Sequence, residues 1–314
     1  MAMEKLKHEK FDFYDQTYLK SYNLDTSIQY QLNLLDSLDV FTRKHSENVA
    51  TLTSNICKKL HCQKGFTEYC VTCAYLHDIG KLFIPRDILQ KPTTLTDEEF
   101  EIMKTHTTLG YELCIKDKFL RPYYAGPYYH HESLDGTGYP QGLTKKDIPY
   151  ESQIIRVADE FDALVSKRQY KSHIGIRDAL KIIIDHTKPS PNAPKGTGYT
   201  NAGKINPLIV KKLIKVIIED TELEIVACIE YIDYLVQETK RYKKIEKIIN
   251  KINTSKKQVD IDYYKEYIKY FLRRNESIDN FDQAFVELNQ TLEQKRADLK
   301  ELYKEVKLIK KIRV

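Results

Sequence analysis

The sequence predicts an all-α protein, a helical bundle followed by a C-terminal helical or coiled-coil extension. Apolar residues recur three and four positions apart along most of the chain, no segment alternates apolar and polar residues over a useful strand length, and a heptad pattern closes the sequence.

Residues 1–26 read as a polar, tyrosine-rich N-terminal extension. Helical patterns follow at about 25–38, 43–61, 66–77, 96–115, 122–132, 151–166 and 175–186. In the second of these, Val49, Leu52, Ile56 and Leu60 make one face, with His45 at its start. The third ends in the apolar run Val71 to Leu76, and the fourth carries Phe100, Ile102 and Met103 ahead of His106. Between the fifth and sixth, the run Glu132 to Pro140 holds two glycines and a proline, which suits a turn and neither a helix nor a regular strand; a short hairpin there stays open. Thr187 to Gly203 contains three prolines and three glycines and reads as an inserted loop, solvated or acting as a lid, before a helix near 207–219.

Beyond residue 220 the chain is charged and helical. Phe281, Phe285, Leu288, Leu292, Leu299, Leu302, Val306 and Ile309 fall at steps of four and three, interrupted only by Lys295, which makes a coiled-coil seam over 281–312. Such a seam pairs two subunits into a homodimer or lies along the protein's own bundle. The expected division is therefore 1–26, a domain at 27–219 and a helical region at 220–314.

Composition narrows the class. The 314 residues are 41% hydrophobic and 30% charged, which suits one globular domain plus an extension. Fifty basic and 45 acidic residues leave a net charge of +5, too mild to indicate a nucleic-acid polymer as partner. No run approaches the length of a membrane span, and Met1 to Lys10 lacks the apolar core of a signal peptide. Six cysteines form no disulfide-like framework, and the lone C-x-x-C of Cys70 and Cys73 reads as a reduced core face. The expected compartment is the cytoplasm, without membrane insertion.

The chemistry lies in histidine and aspartate. His45, His77, Asp78, His106, His130, His131 and Asp159 supply enough nitrogen and oxygen ligands for two divalent cations while leaving positions open for water and a phosphate. His77-Asp78 emerges where an apolar helix stops, so Asp78 is the expected bridging carboxylate. Asp159 sits in the apolar segment Ile154 to Leu164, where a carboxylate is costly to bury unless paired or metal-bound. A lone helical histidine such as His106 is more often an ordinary side chain than a ligand; the joint arrangement carries the reading. Tyr139 adds an aromatic face and a hydroxyl beside it.

Taken together, His77-Asp78-Ile79-Gly80-Lys81, Ile84-Pro85, Lys91-Pro92, His130-His131-Glu132, Asp135-Gly136-Thr137-Gly138-Tyr139-Pro140, and Asp159 through Leu164 with Arg168 resemble the HD-GYP branch of the HD phosphohydrolase superfamily over about residues 27–219. The resemblance implies an HD-type helical bundle and hydrolysis of a cyclic dinucleotide. It implies that His45, His77, Asp78 and Asp159 hold one metal, with Asp78 bridging to a second held by His106, His130 and His131. Lys81, Gly138, Tyr139, Arg168 and Lys171 match positions facing the phosphates or bases, while Glu132 and Asp135 match positions that orient ligands and loop.

The chain departs from the family pattern at Thr93 and Gln169, where glycine and proline are usual, and at Phe41. Some members carry a glutamate four residues before the first histidine, holding a third metal; phenylalanine cannot, so two ions are expected. Iron or manganese suits the mixed donor set. The implied reaction is attack on phosphorus by a hydroxide that the dinuclear centre activates, with Lys81 offsetting phosphate charge. The expected substrate is cyclic di-GMP, giving pGpG, with further cleavage to GMP left open. The rivals are another nucleotide such as cyclic GMP-AMP, and a non-catalytic dinucleotide-binding module; the complete ligand set with Lys81 disfavours the latter.

Overall fold

The computed structural model describes residues 30, 33–34, 40–166, 174–189, 202–274 and 276–314, with side chains from Thr42 onward in the first long stretch. Most of the expected helix at 25–38, Arg168, Lys171, and residues 190–201 of the insertion lie outside the described residues. The helices are α1 (Val40–Lys59), α2 (Lys64–Leu76), α3 (Arg86–Leu89), α4 (Asp97–Lys104), α5 (His106–Lys116), α6 (Ala125–Tyr129), α7 (Tyr150–Val165), α8 (Ile176–Asp185), α9 (Pro207–Thr254), α10 (Gln258–Ile268) and α11 (Phe281–Ile309), with 3-10 turns at Ile79–Phe83 and Arg121–Tyr123. The fold is all-α: among the described residues no strand forms. An isolated antiparallel bridge between Asp135 and Thr144 is all that appears of the hairpin.

Two compact units divide the chain, one of the described residues up to Ile218 with Ile312–Val314, the other Glu219–Lys311. In the first, α1 packs against α2 and α7 through Val49, Leu52 and Ile56, all fully buried. Ile154, Ile155, Val157, Ala158 and Phe161 bury the facing side of α7. Cys70 and Cys73 are buried free thiols in the same core. The turn after α2 and helix α6 both pack on α5, so the ends of several helices meet.

Three expected helices differ. The stretch expected at 96–115 breaks at Thr105, because the Thr105 hydroxyl donates to the Ile102 carbonyl at 2.6 Å and His106 Nδ1 to that of Met103 at 2.7 Å, replacing the helical ladder there. The stretch expected at 122–132 is a 3-10 turn and the short α6, since Pro122 and Pro127 remove backbone donors. The helix expected at 207–219 instead runs to Thr254: no glycine or proline follows Pro207 within it, and Asn206 Oδ1 caps its start by accepting from the Leu208 amide at 3.0 Å.

The heptad seam lies along its own bundle. Within the second unit Phe281, Leu288 and Leu292 are buried with Leu235, Tyr242, Ile245 and Ile248 of α9 and Ile268 of α10. Phe281, Leu288 and Leu292 of the seam are thus covered within the chain and do not by themselves call for a second copy. No described helix is long and apolar enough to cross a membrane.

Candidate metal centre

Three of the histidines are placed by helix ends. The last carbonyls of a helix lack intrahelical partners, and imidazoles take them: His77 Nδ1 donates to Ala74 O at 2.6 Å at the end of α2, His106 Nδ1 to Met103 O at 2.7 Å at the end of α4, and His130 Nδ1 to Gly126 O and Pro127 O at 2.9 Å at the end of α6. Each bond leaves the ring's Nε2 as a lone pair directed away from its helix. Two of these lone pairs meet, His106 Nε2 lying 3.2 Å from His130 Nε2, while His77 Nε2 is buried without any hydrogen-bond partner. Burial is the main force that pushes His106 down to about 4, and it holds His130 and His131 well below the usual imidazole range. Neutral rings with opposed, unspent lone pairs suit a cation.

Asp78 stands among them. Its Oδ2 is 3.3 Å from His77 Nε2 and 3.7 Å from His45 Nε2; its Oδ1 is 3.5 Å from His106 Nε2 and 4.0 Å from His130 Nε2. Gly80 makes this reach attainable. A Cβ there would lie 1.8 Å from the His106 carbonyl oxygen, so only glycine lets the turn carrying Asp78 press against the start of α5. Burial acts to raise the Asp78 pKa, but its neighbours, the Lys81 ammonium first among them, outweigh it and hold the carboxyl well below the usual range. Lys81 Nζ donates to Asp78 Oδ2 at 2.5 Å.

Across from α2, His45 on α1 meets two carboxylates of α7, with Nε2 3.0 Å from Asp159 Oδ1 and Nδ1 2.6 Å from Asp162 Oδ2. Asp159 and Asp162 are one turn apart and share a face. Asp162 is fully buried and also accepts from Asn48 Nδ2 at 3.0 Å. Asp162 touches the candidate ligand His45 and Asn48 touches Asp162, and the sequence reading left both unassigned. The available signal was spacing, since Asn48 follows His45 by three on the same face, and Asp162 is a second carboxylate on an apolar helix.

Ligand atoms therefore gather in two groups, His45 with His77 and Asp78, and His106 with His130 and His131. Asp159 joins the first through His45, and its Oδ1 lies 3.9 Å from His77 Nε2. The unspent lone pairs, the orphaned His77 nitrogen and a carboxylate between the groups fit divalent cations on nitrogen and oxygen donors. His131 stands apart from the other three histidines, because its Nδ1 faces Arg156 Nη1 at 3.0 Å instead of a carbonyl.

The glycine-rich loop closes over this centre. The Tyr139 ring stacks on that of His131, with centroids 4.7 Å apart and planes at 22°, and Lys104 Nζ lies 5.7 Å from its centroid. Glu132 accepts from the amides of Gln141 and Leu143 at 2.7 and 2.8 Å, and Asp135 from the Thr137 amide and hydroxyl at 3.0 and 2.6 Å, so both carboxylates shape the loop. Gly138 is glycine for the loop's own packing, since a Cβ would lie 2.3 Å from the Ser133 nitrogen. That reason is distinct from backbone approach to a ligand.

The family is fixed by comparison. The model described as HD domain matches residues 29–189, about half of the chain, and the chain belongs to the HD domain family. Within it, the ordered motifs from His77-Asp78 to Tyr139-Pro140 make it a member of the HD-GYP branch. It is similar to a protein named cyclic di-GMP phosphodiesterase from Thermotoga maritima, 41% identical over 48% of this chain and 42% of that relative. It is also similar to the cyclic di-GMP phosphodiesterase response regulator RpfG of Xanthomonas campestris, 47% identical over 31% of this chain and 26% of the relative. A third relative, named 3'3'-cGAMP-specific phosphodiesterase 3, from Vibrio cholerae, is 36% identical over 50% of this chain and 35% of its own length. The chain thus spans less than half the length of each of these curated relatives.

Proposed function

We propose that this chain is a metal-dependent phosphodiesterase that opens a cyclic dinucleotide, cyclic di-GMP, to linear pGpG. The observation that carries the reading is Asp78, whose two carboxylate oxygens face two separate histidine groups within 4.0 Å. His45, His77, Asp78 and Asp159 would hold one divalent ion, and His106, His130 and His131 with Asp78 the other. Iron or manganese in these positions supplies Lewis acidity toward phosphate oxygens and lowers the pKa of a water.

The chain's own residues provide the rest. The carbonyls of Ala74, Met103, Gly126 and Pro127 fix the tautomers of His77, His106 and His130, so these three rings need not reorganise on loading. Lys81 keeps Asp78 ionised and sets a positive charge beside the phosphate as the 3′ oxygen departs. Gly138 and Tyr139, with Arg168 and Lys171 beyond the described residues, are the proposed substrate contacts. The names of the first two relatives favour cyclic di-GMP; the name of the third supports mixed cyclic GMP-AMP as the second reading.

Incubating the manganese- or iron-loaded protein with cyclic di-GMP, cyclic GMP-AMP and cyclic di-AMP, and resolving products by chromatography, tests this. Linear pGpG as the main product is expected, and no turnover with a fully loaded centre would sink the reading. Asp78→Ala should abolish hydrolysis and sharply reduce bound metal, because Asp78 faces both groups. Lys81→Ala should keep the metal and lose rate by about 10²-fold or more. An Asp78 variant with full metal content and normal turnover would remove the bridging role.

A further inference from the structure

Beside the candidate ligands lies a partly buried row of polar side chains that the proposed reaction leaves unused. Arg156 sits on α7 one turn before Asp159 and Glu160. Its Nη1 donates to His131 Nδ1 at 3.0 Å. Its Nε faces Glu160 Oε2 at 3.5 Å, yet both atoms are buried and neither has a hydrogen-bond partner. The other oxygen of Glu160 accepts from His186 Nδ1, and the His186 carbonyl in turn accepts the amides of Lys204 and Ile205. Buried donors and acceptors are nearly always satisfied, so an unsatisfied arginine nitrogen in a ligand cluster marks a group with a second partner.

The chemistry of guanidinium narrows that partner. It carries N–H donors and no lone pair, and it stays charged at any working pH. On His131 it therefore occupies a ring lone pair that a cation would need, so Arg156 and a cation are alternative partners of that nitrogen. Once released, a side chain only 19% exposed stays within the site as a fixed positive charge next to the divalent ions. That arrangement is favourable when an anion lies between them, and the planar fork of arginine matches phosphate oxygens.

We propose that Arg156 is a further substrate-contact residue: its guanidinium moves from His131 to a phosphate oxygen, while Glu160, braced by His186, keeps it at the site. This rests on the phosphodiesterase reading above. It gives a signature that a bracing role would not. Metal binding competes with Arg156 at His131, whereas phosphate binding requires it.

The test uses the full chain, manganese as the metal and inorganic phosphate as the probe. Manganese binding is measured by equilibrium dialysis and phosphate binding to the loaded protein by calorimetry, for wild type, Arg156→Gln, Arg156→Lys and Glu160→Gln. Arg156→Gln should keep the wild-type manganese stoichiometry, with equal or tighter affinity, and bind phosphate about tenfold more weakly or worse. Arg156→Lys keeps the charge, guards against a folding defect, and should recover part of that affinity; Glu160→Gln should lose a few-fold. Unchanged phosphate affinity in Arg156→Gln overturns the proposal. So does loss of manganese in that variant, which would make Arg156 a brace for His131, and so does a loaded wild type that binds no phosphate. Failure to turn over any cyclic dinucleotide while phosphate still binds through Arg156 strikes only the phosphodiesterase reading.

Discussion

His45 lies between Asp159 and Asp162, and that position sets how the centre responds to pH. Burial disfavours its charge, but the bonds to the two carboxylates outweigh burial and raise its pKa from 6.5 to about 9. In chelator-treated protein this stabilisation is full below about pH 6.5 and is lost as pH rises through about 9. His106 works the other way: pushed down to about 4, mainly by burial, it contributes above about pH 6.5 and loses that contribution as pH falls through 4. The thermal midpoint of chelated protein should therefore peak near pH 6.5 and decline on both sides. His45→Gln should flatten the alkaline limb alone, and a variant with the wild-type alkaline slope refutes the assignment. At this scale the sequence was most legible where chemistry was bundled into motifs, as in His77-Asp78 and His130-His131. It was least legible where a residue acts through another: Asp162 meets His45, Asn48 meets Asp162 and Arg156 meets His131 across the fold, and helical spacing can nominate such positions without naming their partners.

Between elements, closeness does the work. The turn bearing Asp78 reaches His106 because Gly80 has no Cβ, so Gly80→Ala should force the turn away from α5. The expected cost is about 2–4 kcal/mol of stability, with weakened metal retention, read by calorimetric unfolding and elemental analysis. A variant of wild-type stability and metal content would show that the contact is dispensable. Helix α11 poses a different question. Its seam residues Leu288 and Leu292 are buried against α9, so a chain ending at Asp279 should expose the apolar face of Leu235, Tyr242 and Ile245 and self-associate. Light scattering decides between this and a seam that pairs subunits: a dimeric full-length chain that becomes monomeric on truncation contradicts the intramolecular packing. The heptads were plain in the sequence, yet their partner was not, because period fixes a helix face and leaves open what covers it. The break at Thr105 was likewise hidden, since side-chain bonds to the Ile102 and Met103 carbonyls compete with a helix that the apolar pattern alone would continue.

For the molecule as a whole, the question is how many ions one chain holds and how far it carries the substrate. Asp78 faces both candidate ligand groups, and α1 places residue 41 one turn before His45, its side chain outside the described residues. A glutamate at that position would bring a carboxylate to the face of His45, within reach of a third cation. Phenylalanine brings bulk and no lone pair, so two metals per chain are expected. The consequence concerns the product. On the proposed phosphodiesterase reading, linearising the ring requires one cut, and the resulting pGpG is an extended dinucleotide whose second cut must be set up anew. With two ions the first cut should be ready and the second slow, so pGpG should accumulate before GMP appears. Elemental analysis of the full chain, alongside a product time course, reads both halves. Phe41→Glu should raise metal content toward three and hasten GMP release. Three stoichiometric metals in the wild-type centre refute the first half, and prompt conversion of pGpG to GMP by the two-metal protein refutes the second.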